Sequence, residues 1–552
     1  MISNTDIRYF FDTYYDNFMH SLAWEDHLLE PASREEWLAT LRACADDQQQ
    51  RCADNQILLE QYLYPLSSNP ALLSDEGYDL LLSFCRDFYY SNYTEPALLI
   101  RIIDILLPHY EDRSDTESLL FLYICAGFSY MELSRTGEPT SRDKTIYFYT
   151  KVLSYRDQIE FFESATSRDY IFIAYYNLIR VAPGLGILDI ETAYRLWEEL
   201  CQIRTMPKFC QYDTTNPRIP QLCDCAINDF RAYGAVLNVE RVIAPSAILS
   251  SLENMTQIYY PEILHEHGSI YECPVFTVFN YHYVQARNGT ITWEAAWQIL
   301  DDYYVHKMQT IGQVSSPDLL AFYTNLPLNL IDVLGHTHFK EEFKQATYRR
   351  YRNLITSYLM NQPASLNSYT LNNGVQLVAF HPLILGTFQN RMEKMNFIVD
   401  LVVTRHLTTF THSVMVSYLA EAIGKHILAA RPELLRIPSS YLEGNVYASP
   451  AEVLDYIVPA ALFHDIGKNG MIPIINTQHR KLNDYEFNII QTHPQKGSDY
   501  LSSDPDFLIY QPVALGHHRS YDGTRGYPLS FDNTASPYRD AIDLIHICEP
   551  RS

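Results

Sequence analysis

Six residues in the last third of the chain carry side chains that ligate divalent cations: His412, His464, Asp465, His493, His517 and His518. Histidine is concentrated there. Of 19 histidines, ten precede His406 and nine lie between His406 and His546. Neutral imidazoles beside a carboxylate that can bridge two ions suit a divalent cation. Asp465 follows His464 directly, and His493 and the His517-His518 doublet could complete a second metal position. Two cations about 3.5 to 4 Å apart lower the pKa of a water and neutralise charge on a phosphodiester attacked in line. Lys468, four residues after His464, would add a fixed positive charge on the same helical face.

The elements that carry these residues can be placed from their apolar spacing. In TFTHSVMVSYLAEAIGKHIL, His412 shares a helical face with Val416, Leu419 and Ile423. In AEVLDYIVPAALFHDIGK, Val453, Ile457, Ala460 and His464 form a similar stripe. Both imidazoles therefore point inward, where an unpaired polar group is costly. Helix starts are predicted at Ser449-Pro450-Ala451-Glu452 and Asn483-Asp484-Tyr485-Glu486 as capping boxes, and at Ser316-Pro317-Asp318. Pro459 lies inside the helix leading to His464 and costs about 3 kcal/mol unless a kink is built in. The stretch Arg431 to Ser449 reads as a connection between helices.

The ordered motifs ALFHDIGKNGMIP, LNDYEFNIIQTHPQKG and LGHHRSYDGTRGYP, preceded by RHLTTFTHSVMV, resemble the HD-GYP branch of the HD phosphohydrolase superfamily. The resemblance covers roughly residues 388 to 549 and implies a helical-bundle metal-dependent phosphodiesterase. Its usual substrate is cyclic di-GMP, and its cofactors would be two divalent ions, Fe or Mn. Carried over by motif, His412, His464 and Asp465 match the first metal's ligands, with Asp465 bridging. His493, His517 and His518 match those of the second. Asp465 and Lys468 take the catalytic roles, Lys468 by contacting a substrate phosphate, and Gly526, Tyr527 and Pro528 match the loop that shapes the substrate side.

Three departures bear on turnover. Arg519 stands where the family usually has Glu, one extra residue separates Gly523 from the Gly526-Tyr527-Pro528 triplet, and Glu549 aligns with the last metal-binding Asp. Pro550 follows Glu549, and the sequence ends two residues later, so the domain reads as C-terminally truncated. The alternative readings are an inactive binding or interaction module and an HD phosphohydrolase acting on another nucleotide. Arg480, Lys481, Arg519 and Arg525 read as surface residues able to add local positive charge, Asp522 as a turn residue, and His406, His426, His479 and His546 as residues without a site role.

The remainder of the chain supplies context. With 552 residues, 47% hydrophobic and 19% charged, it has the composition of a soluble globular protein of several domains. The reading is all-α: a helical, solenoid-like sensory or interaction region over 1–375, then an HD-GYP-like domain over 376–552. Segments such as 78–90, 95–110 and 116–135 show apolar residues at three- and four-residue spacing. The 43 tyrosines, Tyr123, Tyr130, Tyr147 and Tyr149 among them, read as packing residues whose hydroxyls reach the surface. A net charge of -25 without any Lys/Arg block excludes duplex nucleic acid and an anionic membrane as general partners. A protein partner for the N-terminal region, a cytoplasmic location and reduced, mostly buried cysteines are the remaining expectations.

Overall fold

The computed structural model describes residues 2–27, 33–90, 95–134, 136, 139–161, 165–182, 187–204, 257, 261–264, 269–273, 275–310, 319, 322–362, 369–403, 407–439, 446–471 and 480–549. These residues form α-helices and short 3₁₀ or π turns, with no β-strand among them. A single antiparallel bridge, Pro438 to Tyr447, interrupts the pattern within the connection after Arg431. The all-α reading holds. Among the described residues no helix is long and apolar enough to cross a membrane.

Residues divide into two compact units, one of 1–15 with 57–351, the other of 16–56 with 352–552. In the first, α1 (Asp75–Tyr90), α2 (Pro96–Arg113), α3 (Thr116–Ser134), α4 (Pro139–Leu153) and α5 (Ala165–Tyr176) pack neighbour on neighbour. The middle helix, α3, is apolar on all sides and so must be central. Leu120, Phe121, Leu122, Ile124 and Cys125 are fully buried. Gly127 on α3 lets the Tyr149 ring of α4 approach, since a β-carbon would come within 2.7 Å of it. Tyr149 corrects the expectation for tyrosine hydroxyls. It is buried, and its hydroxyl accepts a hydrogen bond from Asn177 Nδ2 at 2.9 Å instead of reaching the surface. Tyr147 is exposed.

The second unit holds the candidate residues. Its main helices are α6 (Arg391–Val403), α7 (Leu407–Ala430), α8 (Pro450–Phe463), α9 (Asp484–Ile490), α10 (His493–Leu501), α11 (Gln511–Gly516) and α12 (Arg539–Cys548). Helix α7 packs along α8 and against α12, while α10 packs on α11 and on the 3₁₀ turn Ile466–Met471. Both capping boxes form: Ser449 with Glu452 starts α8, and Asn483 with Glu486 starts α9. Pro459 lies inside α8, as the sequence places it. The Ser316 cap lies outside the described residues. The described cysteines are free, and all but Cys52 are buried.

The inward stripe of α7 differs from the predicted one. Val416 and Ala420 are buried, whereas Leu419 is 46% exposed. The contact is made through small residues, with Gly424 close to Leu454, Leu435 and Leu544. Helices 8 to 10 Å apart accept small side chains at the crossing.

Candidate metal centre

Four of the candidate ligands stand at helix ends. His464 caps the C-terminus of α8, His493 opens α10, His517 caps α11 and Glu549 caps α12. His412 comes from the second turn of α7. Helix C-termini leave carbonyls without intrahelical donors, and the imidazoles use them. His464 Nδ1 lies 2.5 Å from Ala461 O, His493 Nδ1 2.7 Å from Ile490 O, and His517 Nδ1 2.9 Å from Ala514 O. A carbonyl only accepts, so each Nδ1 carries the proton, and a ring in its neutral form turns an Nε2 lone pair the other way.

Those lone pairs converge on Asp465, which is fully buried. Its Oδ2 faces His412 Nε2 at 3.4 Å and His464 Nε2 at 3.3 Å. Its Oδ1 faces His493 Nε2 at 3.0 Å and His517 Nε2 at 3.6 Å. Seven candidates thus gather in two groups that share one carboxylate: His412, His464, Asp465 and Glu549, and Asp465, His493, His517 and His518, with one ligand atom of each within 4.8 Å of the others. Glu549 reaches the first group despite its extra methylene.

A divalent cation fits this donor set. His493 Nε2 and His517 Nε2 lie 3.1 Å apart with lone pairs facing, which repels unless a positive centre lies among them. His412 Nε2, His464 Nε2, Asp465 Oδ1 and His518 Nε2 are buried without a hydrogen-bond partner, a costly state for polar atoms in a low-dielectric site. Burial holds His412 at about 4 and His517 at about 3, so both are neutral near pH 7 and able to ligate a cation. Burial pushes Asp465 up, but the His464 and Lys468 charges and its hydrogen bonds hold it well below the usual carboxylate range. Burial raises Glu549 to about 7.

Lys468 is not one helical turn above His464, as the helical reading placed it. Helix α8 ends at Phe463, and the 3₁₀ turn that follows has three residues per turn. Lys468 therefore lies over Asp465, its Nζ donating to Oδ2 at 2.6 Å. The Gly526, Tyr527, Pro528 loop reaches the second group: the Tyr527 ring covers the His518 imidazole with centroids 4.4 Å apart. Pro528 O accepts from the Phe531 amide at 3.2 Å and ties the loop back on itself.

Other expectations need correction. Arg480 and Arg519 are not surface residues: they are 5% and 4% exposed. Arg480 forms a two-pronged pair with Glu486, both contacts at 2.8 Å. Arg519 donates to loop carbonyls. His546, read as without a role, has its Nδ1 2.6 Å from His517 O and so supports a candidate ligand's backbone. The two are 29 residues apart, and no local pattern signals the contact. Asp522 is the turn residue expected, accepting from Ser520 Oγ and from Thr524 N and Oγ1. His426 is exposed, and His406 and His479 lie outside the described residues.

Comparison with known proteins bears on the same segment. The HD domain family matches residues 409–546, a span that opens three residues before His412 and closes at His546. The C-terminal part of this chain is an HD-GYP domain. It is similar to a cyclic di-GMP phosphodiesterase of Vibrio cholerae serotype O1, 26% identical over 39% of this chain. It is also similar to the cyclic di-GMP phosphodiesterase response regulator RpfG of Xanthomonas campestris pv. campestris, 33% identical over 16% of the chain. A third relative is the cyclic di-GMP phosphodiesterase PA4108 of Pseudomonas aeruginosa, 39% identical over 13%. The matches span 48%, 24% and 17% of those relatives' own lengths. No solved structure matches the chain. HD domains depend on metal, and the His and Asp clusters of this HD-GYP domain are able to hold one.

Proposed function

We propose that the chain hydrolyses a phosphodiester bond of a cyclic dinucleotide, cyclic di-GMP first among them, using two divalent cations, Fe or Mn. One observation carries this reading: the two oxygens of Asp465 face separate sets of imidazoles, Oδ2 toward His412 and His464, Oδ1 toward His493 and His517. Bound cations would supply Lewis acidity and a water acidified to near neutrality. Glu549 completes the first set and His518 the second.

The remaining steps belong to the chain's own side chains. Lys468 has three N–H donors and spends one on Asp465 Oδ2, which leaves others for the phosphate oxygens beside the carboxylate. Its fixed charge is set where negative charge grows during attack. Tyr527, with Gly526 and Pro528, forms a wall over His518 against which the substrate would lie. Residues 1–375 are proposed as the sensory or interaction region.

The test uses the purified full-length chain loaded anaerobically with Fe(II) or Mn(II) and mixed with cyclic di-GMP and other cyclic dinucleotides, with products separated by chromatography. Appearance of a linear dinucleotide or of mononucleotide supports the proposal. Ligand binding without product under either metal would instead identify a binding module. Hydrolysis of mononucleotide phosphates alone would point to another HD phosphohydrolase reaction.

A further inference from the structure

The two-cation reading gives the arginine after the histidine doublet no part. Arg519 is nevertheless 4% exposed, and its charge acts on the Asp532 carboxylate. Its guanidinium donates to Gly526 O at 3.1 Å and to Gly523 O. Both glycines have positive φ, 69° at Gly523 and 86° at Gly526, a left-handed conformation that favours glycine. Ser520 N donates to Arg525 O at 3.0 Å and closes the loop, and Asn533 Nδ2 holds Ser520 O at 3.0 Å. Gly526 in turn lies against the doublet's backbone, where a β-carbon would meet His518 O at 1.9 Å. The next residue is Tyr527, whose ring covers His518 and meets the His493 ring edge-on at 6.0 Å.

His518 needs that cover for a specific reason. His493 and His517 have their planes fixed by Nδ1 bonds to backbone carbonyls. His518 has no such bond: its Nδ1 faces Glu549 Oε2 at 3.5 Å, and its Nε2 has no hydrogen-bond partner. Its ring is held by packing against His517 at 4.2 Å, Tyr527 at 4.4 Å and His493 at 5.0 Å, and of these only Tyr527 comes from outside the candidate ligands.

We propose that Arg519 is a positioning residue whose guanidinium fork fixes the 520–527 loop, so that Tyr527 holds the His518 imidazole in place for the second metal position. The proposal rests on the two-cation reading above. Groups that orient a metal ligand from behind change metal affinity by about 10- to 100-fold when removed. Charge alone predicts the opposite sign, because deleting a buried cation beside a metal site should tighten metal binding.

Mn(II) titration of the full-length protein, followed by the electron paramagnetic resonance signal of free Mn(II), separates these outcomes. Wild type should take up two ions. Arg519→Ala should leave the first dissociation constant unchanged and raise the second by about 10- to 100-fold. Arg519→Lys keeps the charge, but one nitrogen cannot span both carbonyls, so it should share most of the loss. Tyr527→Ala should reproduce that loss, and the double variant should add nothing to it, since both act through one contact; this arm stands even where Arg519→Ala fails to fold. Unchanged constants in folded Arg519→Ala, or tighter binding there with wild-type values in Arg519→Lys, would overturn the inference while leaving the two-cation reading intact. Fewer than two ions in wild type would overturn both.

Discussion

Gly467 sits two residues after the shared carboxylate, in the 3₁₀ turn Ile466–Met471 that packs on α10. A β-carbon there would lie 2.0 Å from His493 O and 2.5 Å from Gly497 N. Both are backbone atoms and cannot rotate aside. Restoring an ordinary 3.4 Å contact requires the turn and the helix to separate by about 1.4 Å, the difference between 3.4 and 2.0 Å. The turn follows directly on Asp465 and the helix begins at His493, so this displacement enters directly into the 3.0 Å separation of Asp465 Oδ1 and His493 Nε2. Helix propensity alone predicts that Gly467→Ala stabilises by about 1 kcal/mol. Overpacking predicts a loss of about 1 to 3 kcal/mol, and the steric effect wins because the obstruction is backbone. Misplacement on the order of 1 Å can cost about 10²-fold in turnover, and metal binding should weaken with it. Gly497→Ala is the control, since a β-carbon there meets Gly467 N at 3.3 Å and side chains at 3.5 and 3.6 Å. It should be much the milder of the two. Thermal unfolding and Mn(II) binding measured on both variants decide the matter. A Gly467→Ala protein with wild-type metal affinity and an equal or higher melting temperature would refute the reasoning.

Asp465→Ala removes the one residue common to both ligand groups; metal content by elemental analysis should fall to background, and retention of two ions would contradict the bridging assignment. Lys468→Ala leaves every imidazole in place and should keep its metal, while turnover falls by about 10² to 10³ on the scale of other lost transition-state donors; kinetics and metal content measured together check this. The metal-free protein should lose stability on acidification. Burial depresses His412 to about 4 and His517 to about 3, against about 6.5 in an unfolded chain. Between those values the unfolded state binds more protons, so this contribution is full above pH about 6.5 and is lost as pH falls toward the folded values. His464 has the opposite sign, because the charge of Asp465 outweighs its burial and raises it; its contribution is present at low pH and lost as pH rises through its folded value. Glu549, raised by burial to about 7, opposes the depressed imidazoles in the same way as His464; His493 is also lowered by burial, so the depressed imidazoles His412, His493 and His517 outweigh the two raised groups. Thermal midpoints of chelator-treated protein from pH 7.5 to 4 should decline, and a rising series would refute the sign.

What the sequence makes legible here is whatever repeats locally. Apolar residues at three and four identify the helices, and a side chain three residues from its partner amide identifies the starts of α8 and α9. The clustering of the candidate ligands is legible because imidazoles and a carboxylate are rare on inward faces. Bulk hydrophobicity is a poorer guide to which side of α7 is inward. Leu419 is more apolar than Ala420, yet Ala420 is buried, because closeness of approach selects for small side chains. Lys468 shows how one change in helical pitch reassigns a partner: at 3.6 residues per turn it belongs to His464, and at 3.0 it belongs to Asp465.

The two buried arginines and His546 were not legible for a different reason. Average burial places arginine at the surface, but an average cannot see a carbonyl supplied from seven residues ahead, as Gly526 supplies Arg519, or from 29 residues back, as His517 supplies His546. The same long-range economy shapes the whole centre. Four candidate ligands come from helix ends, and for three of them, His464, His493 and His517, a leftover backbone carbonyl fixes the tautomer; a helix end is set by whatever breaks the helix, not by the ligand itself. His518 lacks such a carbonyl. Its support has to come from a loop, and the loop has to be held by something rigid and multidentate. A buried guanidinium supplies that without a carboxylate that would compete for the cations. On this reasoning the arginine that departs from the family pattern is a substitute support for the second metal position, and its effect should appear in the affinity for the second ion before it appears anywhere else.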